Sequence, residues 1–270
     1  MSFNLKYFIV CLLLMSCNTG HLKVVASLPL NLKETSAVEI VNGSDLFWVI
    51  QDAGNDNYIY GLNSKGDIVK RIELKGVPNE DYEDLTSDSE GNIYVGDFGN
   101  NNEKEKTFHI YKVRNPVSAN NSVTPVSISF TLPDDIDYED FESFFIYNNA
   151  FYIFSKSPKK TKLIKVPNQE GKHEAQLIST YKLDGKDTKV TSADISDDGK
   201  IVVLLNHDKL WKLDDFKNDD FFSGKVEAID FEHDTQKEGI TFLNDTTVMI
   251  TDEQNGSSGG NIYTFDFSKN

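Results

Sequence analysis

EDLTSDSEGNIYVGDFGNN, residues 83–101, reads as a short strand, a turn built from Asp, Ser, Glu, Gly and Asn, and a second apolar strand. That is the local pattern of a β-hairpin. The same pattern recurs in ETSAVEIVNGSDLFWVIQDAGN (34–55), ESFFIYNNAFYIFSKS (142–157), TSADISDDGKIVVLLNHD (191–208) and EGITFLNDTTVMITDEQN (238–255). The five segments start at residues 34, 83, 142, 191 and 238, at intervals of 49, 59, 49 and 47. A period of about 40–50 residues is the mark of a propeller, in which each repeat is one blade.

Two more apolar strands follow each of the first four hairpins: NYIYGLN and IVKRIEL, TFHIYKV and VSISFTL, TKLIKVP and AQLISTYKL, KLWKL and KVEAIDF. The fifth hairpin is followed by NIYTFDF alone, one strand short, while LKVVASLPL (22–30) has no partner at the other end of the chain. The expected fold class is therefore all-β, a five-bladed β-propeller whose N-terminal strand closes the last blade and leaves few open sheet edges. Six blades is the rival count, which would need a blade merged into a neighbour. Only the 59-residue interval has spare length, read as loop around residues 115–124. No segment has the period of a long amphipathic helix.

Upstream of the propeller, MSFNLKYFIVCLLLMSC carries Lys6, an apolar run over 7–15, then Ser16 and Cys17. This is a secretory signal peptide, too short for a comfortable transmembrane span of ~20 residues. Leu14-Met15-Ser16-Cys17 resembles the lipobox of bacterial lipoproteins, which implies cleavage before Cys17 and its acylation. The domains expected are a signal peptide (1–16), a lipidated tether (17–21) and one propeller domain (22–270). The other cysteine, Cys11, lies in the discarded stretch, so no disulfide can form in the mature chain. The acyl chains would be the membrane contact. Asn18-Thr19-Gly20-His21 lacks an acidic run, which favours a periplasm-facing anchor on the outer membrane of a bacterial cell envelope.

The net charge of −16, from 43 acidic and 27 basic residues, argues against a nucleic-acid partner, because phosphates would be repelled. A monomer is expected. If the first strand of each repeat is innermost, Glu34, Glu83, Glu142 and Glu238 begin equivalent strands beside the central channel, with Thr191 in the fifth place and Asp194 near it. The second strands end near Asp52, Asp97 and Asp252. Carboxylates converging on one mouth repel unless protons, basic side chains or a hard cation neutralise them, and all-oxygen ligands suit calcium or magnesium. Glu34, Glu83, Glu142, Glu238 and Asp97 are the candidate metal ligands, and calcium the candidate ion. Alternatively, a strand-initial Glu accepts backbone N–H groups of the next blade and locks blade to blade. Lys156 and Lys237 are available to neutralise some of these acids.

DYED occurs at 81–84 and again at 137–140, and QDAGNDN (51–57) parallels GDFGNNN (96–102). These place Asp52, Asn55, Asp84, Asn100, Asp140, Asp194 and Asp252 as candidate binding-loop residues, although turn chemistry alone also selects Gly, Asn and Asp. No catalytic residue is assigned. There is no G-x-S-x-G elbow and no H-E-x-x-H among the five histidines, and His207, after the second strand of its repeat, is the one general-base candidate.

EDYEDLTSDSEGNIYVGDFGNNN, DYEDFESFFIYNNAFYIFSKS, VTSADISDDGKIVVLLN and KEGITF together resemble a family of exported propeller proteins common in Bacteroidetes, over nearly the whole mature chain. The family reads D-W-E-D-L, D-A-E-A-L, T-G-A-D and E-G-I at these places. Tyr82, Phe141, Ser143 and Ser192 depart from it, while Glu83, Asp84, Asp140, Glu142, Asp194 and Glu238 match. More distantly the chain is similar to the SdiA-regulated and esterase-like-phytase propellers, and to gluconolactonase-type propellers that hold a divalent cation in the channel. The resemblance implies no established activity, since propellers host binding, scaffolding and hydrolysis alike. The expected function is a membrane-anchored binding or interaction propeller with an acidic, calcium-binding mouth for a ligand or protein partner. The alternatives are a metal-dependent hydrolase of an ester, lactone or phosphoester, and a purely structural envelope protein.

Overall fold

Alternation of apolar residues on two faces lets each repeat pack against both neighbours, and this is what the chain does. The computed structural model describes residues 19–134, 136 and 138–269. Cys17, the signal peptide and Asp137 of the second DYED lie outside them. The strands run in chain order. The closing strand is β1 (Lys23–Ser27). Blade 1 holds β2 (Thr35–Ile40), β3 (Phe47–Gln51), β4 (Tyr58–Leu62) and β5 (Ile68–Leu74). Blade 2 holds β6 (Tyr82–Ser87), β7 (Ile93–Asp97), β8 (Thr107–Val113) and, after the short β9 (Ser122–Val123), β10 (Val126–Thr131). Blade 3 holds β11 (Phe141–Tyr147), β12 (Ala150–Ser155) and β13 (Thr161–Pro167), then β14 (Gly171–Glu174) and β15 (Gln176–Tyr181). Blade 4 holds β16 (Ser192–Ile195), β17 (Val202–Leu205), β18 (Lys209–Asp214) and β19 (Lys225–Asp230). Blade 5 holds β20 (Lys237–Asn244), β21 (Thr247–Asp252) and β22 (Asn261–Asp266).

Five sheets result, each an antiparallel meander with β2, β6, β11, β16 or β20 innermost. Each inner strand packs beside the next, and β20 returns to β2, so the ring closes. Blade 5 is completed by β1, which pairs with β22 from Lys23↔Thr264 to Ser27↔Asn261. Two blades gain a fifth strand from the blade that follows. The spare length after β8 is more than loop: β9 leaves blade 2 to pair in parallel with β5, and β14 leaves blade 3 to pair in parallel with β10. Both cover an edge that would otherwise be open. Among the described residues the only helices are three single turns, and none is long and apolar enough to cross a membrane.

The core is five apolar clusters, one between each pair of blades. On β11, Phe144 faces Tyr94 and Phe98 of blade 2 while the adjacent Phe145 faces Trp211 and Val202 of blade 4. On β3, Trp48 packs towards blade 2 and Val49 towards blade 5. A strand buried on both faces is what a period of two makes of an almost continuous apolar run.

Candidate functional site

Register at the start of the inner strands positions the acids. Four hairpins open with the same pairing, Thr35↔Gln51, Tyr82↔Asp97, Phe141↔Ser155 and Lys237↔Asp252, and each then skips one residue on the inner strand. The skipped residue is a β-bulge, which re-aims its side chain. It is Ser36 in blade 1 and glutamate in three others: Glu83, Glu142 and Glu238. Glu34 stands two places earlier, level with Asp81 and Asp140 rather than with those glutamates. Asp52 is likewise one residue past the position of Asp97 and Asp252, and a one-residue shift turns a side chain to the other face. Asp52 therefore reaches the channel mouth. Asp97 accepts the Asp81 N–H at 2.8 Å instead, and Asp252 accepts from the Tyr263 and Thr235 hydroxyls at 2.8 and 2.7 Å.

At this mouth Asp52, Asp81 and Glu83 bring one carboxylate oxygen each to within 4.8 Å of one another. Asn79 makes the juxtaposition. Its Nδ2 donates to the carbonyls of Gln51 (2.9 Å) and Asp52 (3.0 Å) in blade 1, and its Oδ1 accepts the Tyr82 N–H (3.0 Å) in blade 2. Gly99 leaves the space. A Cβ there would fall 2.0 Å from Glu83 Oε1 and 2.4 Å from Asp81 Oδ2. Glu83 is 5% exposed, and its Oε1 is buried with no hydrogen-bond partner.

The remaining acids of the mouth are engaged within the chain. Glu142 pairs with Lys156 (2.7 Å), Glu238 with His207 Nε2 (3.1 Å), and Glu34 accepts from Asn55 Nδ2 (2.9 Å). Asp140 accepts the Asn100 N–H (2.8 Å), and the Asn100 side chain ties its own loop to Glu105 and Glu139. Burial, the charge of Asp52 and the neighbouring Asp140 and Asp97 push Asp81 up to about 7. Burial, with Glu142, Asp52 and Asp81 nearby, pushes Glu83 well above the usual carboxylate range. Burial raises Glu142 to about 8 against the pull of Lys156, and Glu253 to about 7. The hydrogen bond that His207 donates to Glu238 raises the pKa of its imidazole. Lys237 makes no ion pair with these acids among the described residues. Its Nζ donates to the carbonyls of His207 (2.7 Å) and His233 (2.9 Å), and burial lowers it to about 8.

Two acids proposed from the repeats lie away from this mouth. Asp84, fully buried, crosses from blade 2 to accept the N–H groups of Phe144 in blade 3 (3.0 Å) and Ala193 in blade 4 (3.3 Å), with Ser192 Oγ donating as well (2.9 Å). Both of its oxygens are thus taken up in joining blades 2, 3 and 4. Asp194 sits beyond it, accepting the Phe242 N–H of blade 5 (2.8 Å). Blade-to-blade locking through backbone N–H groups thus falls to Asp84, Asp194 and Ser192, the last accepting the Ile240 N–H (3.1 Å), while the strand-initial Glu238 joins blades 4 and 5 through the His207 side chain instead.

No family model and no curated protein matches the chain. Among solved structures it is similar to a gluconolactonase from Xanthomonas campestris, with a TM-score of 0.50 and 10% identity over 86% of this chain and 71% of that one. A likeness at that identity shows the propeller fold alone. The site itself says more. Three carboxylates, one of them buried and without a partner, in a space that a single methyl group would fill, could hold a hard divalent cation.

Proposed function

We propose that this chain is an envelope lipoprotein anchored through Cys17, whose propeller binds its ligand or protein partner at a mouth that carries calcium on Asp52, Asp81 and Glu83. The buried, unpartnered Oε1 of Glu83 carries the reading. An isolated carboxylate in such a place is costly, and neither Lys156 nor His207 supplies its hydrogen bond. Calcium suits all-oxygen, partly open ligand sets better than ions demanding nitrogen or sulfur. The anchor faces the periplasm from the outer membrane and the protein is a monomer, with no nucleic-acid partner, in keeping with a charge of −16.

The test is thermal unfolding of the purified full-length chain, treated with chelator and titrated with calcium at fixed ionic strength. A specific site raises the melting temperature saturably. The rise is expected in the wild type and absent in Asp81→Asn. A response no larger than that to matched sodium chloride would remove the metal reading.

The pair His207–Glu238 at the same mouth supports a second reading, a metal-dependent hydrolase of an ester, lactone or phosphoester. A bound cation would supply Lewis acidity toward a substrate oxygen. His207, oriented by Glu238, would take a proton from the attacking water. Turnover abolished in His207→Gln with calcium binding intact would select this reading over binding alone.

A further inference from the structure

The inner hairpin turns of the blades ring a cavity of about 1150 Å³. Its floor holds Glu39 and Asp194, joined through Thr241. Glu39 is 5% exposed. Its Oε1 accepts the Ile40 N–H (2.6 Å) and the Thr241 hydroxyl (3.3 Å), and among the described residues no hydrogen bond reaches its Oε2. Both oxygens of Asp194 are taken by backbone N–H groups, from Ile195 and Phe242, at 2.8 Å each. Burial, with the charges of Asp194 and Asp84 nearby, pushes the Glu39 carboxyl well above the usual carboxylate range. The nearby Lys112 is committed to Asp88 (3.4 Å). Among the described residues no third Asp, Glu, His or Cys joins Glu39 and Asp194 as a ligand set, which disfavours a bare metal ion. The walls between floor and rim include Ile40, Ile195 and Phe242, and the rim carries Asp197, exposed and in no ion pair among the described residues.

Carboxylate floor, apolar wall and acidic rim are the complement of a chain of methylenes carrying ammonium groups at intervals. We propose that this second mouth binds a linear polyamine, with one ammonium seated at Glu39 beside Asp194, the methylenes along Ile40, Ile195 and Phe242, and a further ammonium at Asp197. An ammonium donates to the open Glu39 oxygen and offsets the repulsion between the two floor carboxylates. The overall negative field draws such a ligand in.

The test is calorimetric titration of spermidine into the purified full-length chain at constant ionic strength, with Glu39→Gln, Asp197→Asn and Asp81→Asn alongside. Saturable one-site binding is expected in the wild type, weakened at least ~10-fold in Glu39→Gln and about 3-fold in Asp197→Asn. Asp81→Asn, which disables the calcium mouth, should bind spermidine as the wild type does, so failure of one site is distinguishable from failure of the other. Should Glu39→Gln not fold, as its melting curve would reveal, the exposed Asp197→Asn still decides. Heats reproduced by sodium chloride alone, or equal affinity in the wild type and both cavity variants, would overturn the proposal.

Discussion

Asp84→Ala tests the joint that holds the ring together. The carboxylate accepts four hydrogen bonds in a fully buried place: Leu85 N (2.9 Å) and Ser192 Oγ (2.9 Å) on one oxygen, Phe144 N (3.0 Å) and Ala193 N (3.3 Å) on the other. Alanine orphans all four donors, three of them backbone groups on the inner strands of three blades. A buried donor left unsatisfied costs ~1–3 kcal/mol. The gross loss is offset by no longer burying a carboxylate, whose desolvation already raises its pKa. A net destabilisation of about 3–5 kcal/mol remains, typical of breaking a buried polar network. For a domain of this size each kcal/mol lowers the melting temperature by roughly 2–4 °C, so a drop of about 6–20 °C is expected. Asp84→Asn should recover less than half, because its amide keeps one acceptor oxygen and sets an NH₂ against two N–H groups. Urea unfolding of the full-length chain measures both. If Asp84→Ala lies within about 1 kcal/mol of the wild type, this carboxylate is not the joint between blades 2, 3 and 4, and the reasoning fails.

Gly99→Ala should weaken calcium binding at least ~10-fold by calorimetry, since its methyl would intrude on Glu83 and Asp81; undiminished affinity would place the cation elsewhere. Asn79→Ala removes two hydrogen bonds to blade 1 and one to Tyr82 at the start of blade 2, and should cost about 2–3 kcal/mol in urea, together with most of the calcium response. The chelated protein should lose stability as pH rises from 5 to 8. Asp97, Asp81, Glu253 and Glu142 have folded pKa values near 6, 7, 7 and 8, all above their unfolded values, so the folded state holds more protons and its advantage disappears as each deprotonates. Each unscreened group would cost ~1.4 kcal/mol per pH unit, and partial exposure of Asp81 and Glu253 reduces the total to about 2–4 kcal/mol. Above pH 8 Lys237, with its lowered pKa, acts in the opposite sense, so the window closes there. Stability that is flat or rising between pH 5 and 8 would contradict the burial of these acids.

The blade count and the closing strand were legible because a hairpin repeated at a near-constant interval leaves few other arrangements, and because NIYTFDF lacked a partner that LKVVASLPL could provide. The position of each acid was not. A bulge leaves no trace in a strand that is apolar on both faces, so nothing in ETSAVEI reveals that Ser36, and not Glu34, stands level with Glu83. The same one-residue ambiguity made Asp52 look equivalent to Asp97 and Asp252. Asp81 was visible only as part of DYED. Asn79 and Gly99 lie in connecting segments, where Asn and Gly are ordinary turn residues. Their roles depend on what the ring brings opposite them. Glu39 carried no signal, because a single acid in an apolar strand reads as solvent-facing until the second mouth is seen.

How the channel acids are neutralised explains why one of them stands out. Asp84 and Asp194 accept backbone N–H groups of neighbouring blades, so their charges are used in holding the ring. Glu142 has Lys156, Glu238 has His207, and Asp252 has two hydroxyls. Among the described buried acids, Glu83 alone accepts no hydrogen bond, and the two groups nearest to it in the triad are carboxylates that repel it. Without a cation, burial and the neighbouring acids favour its protonated form. A divalent ion there would release that proton and convert the repulsion among Asp52, Asp81 and Glu83 into binding energy, which ties calcium affinity to pH through the same groups that make the chelated protein sensitive to it.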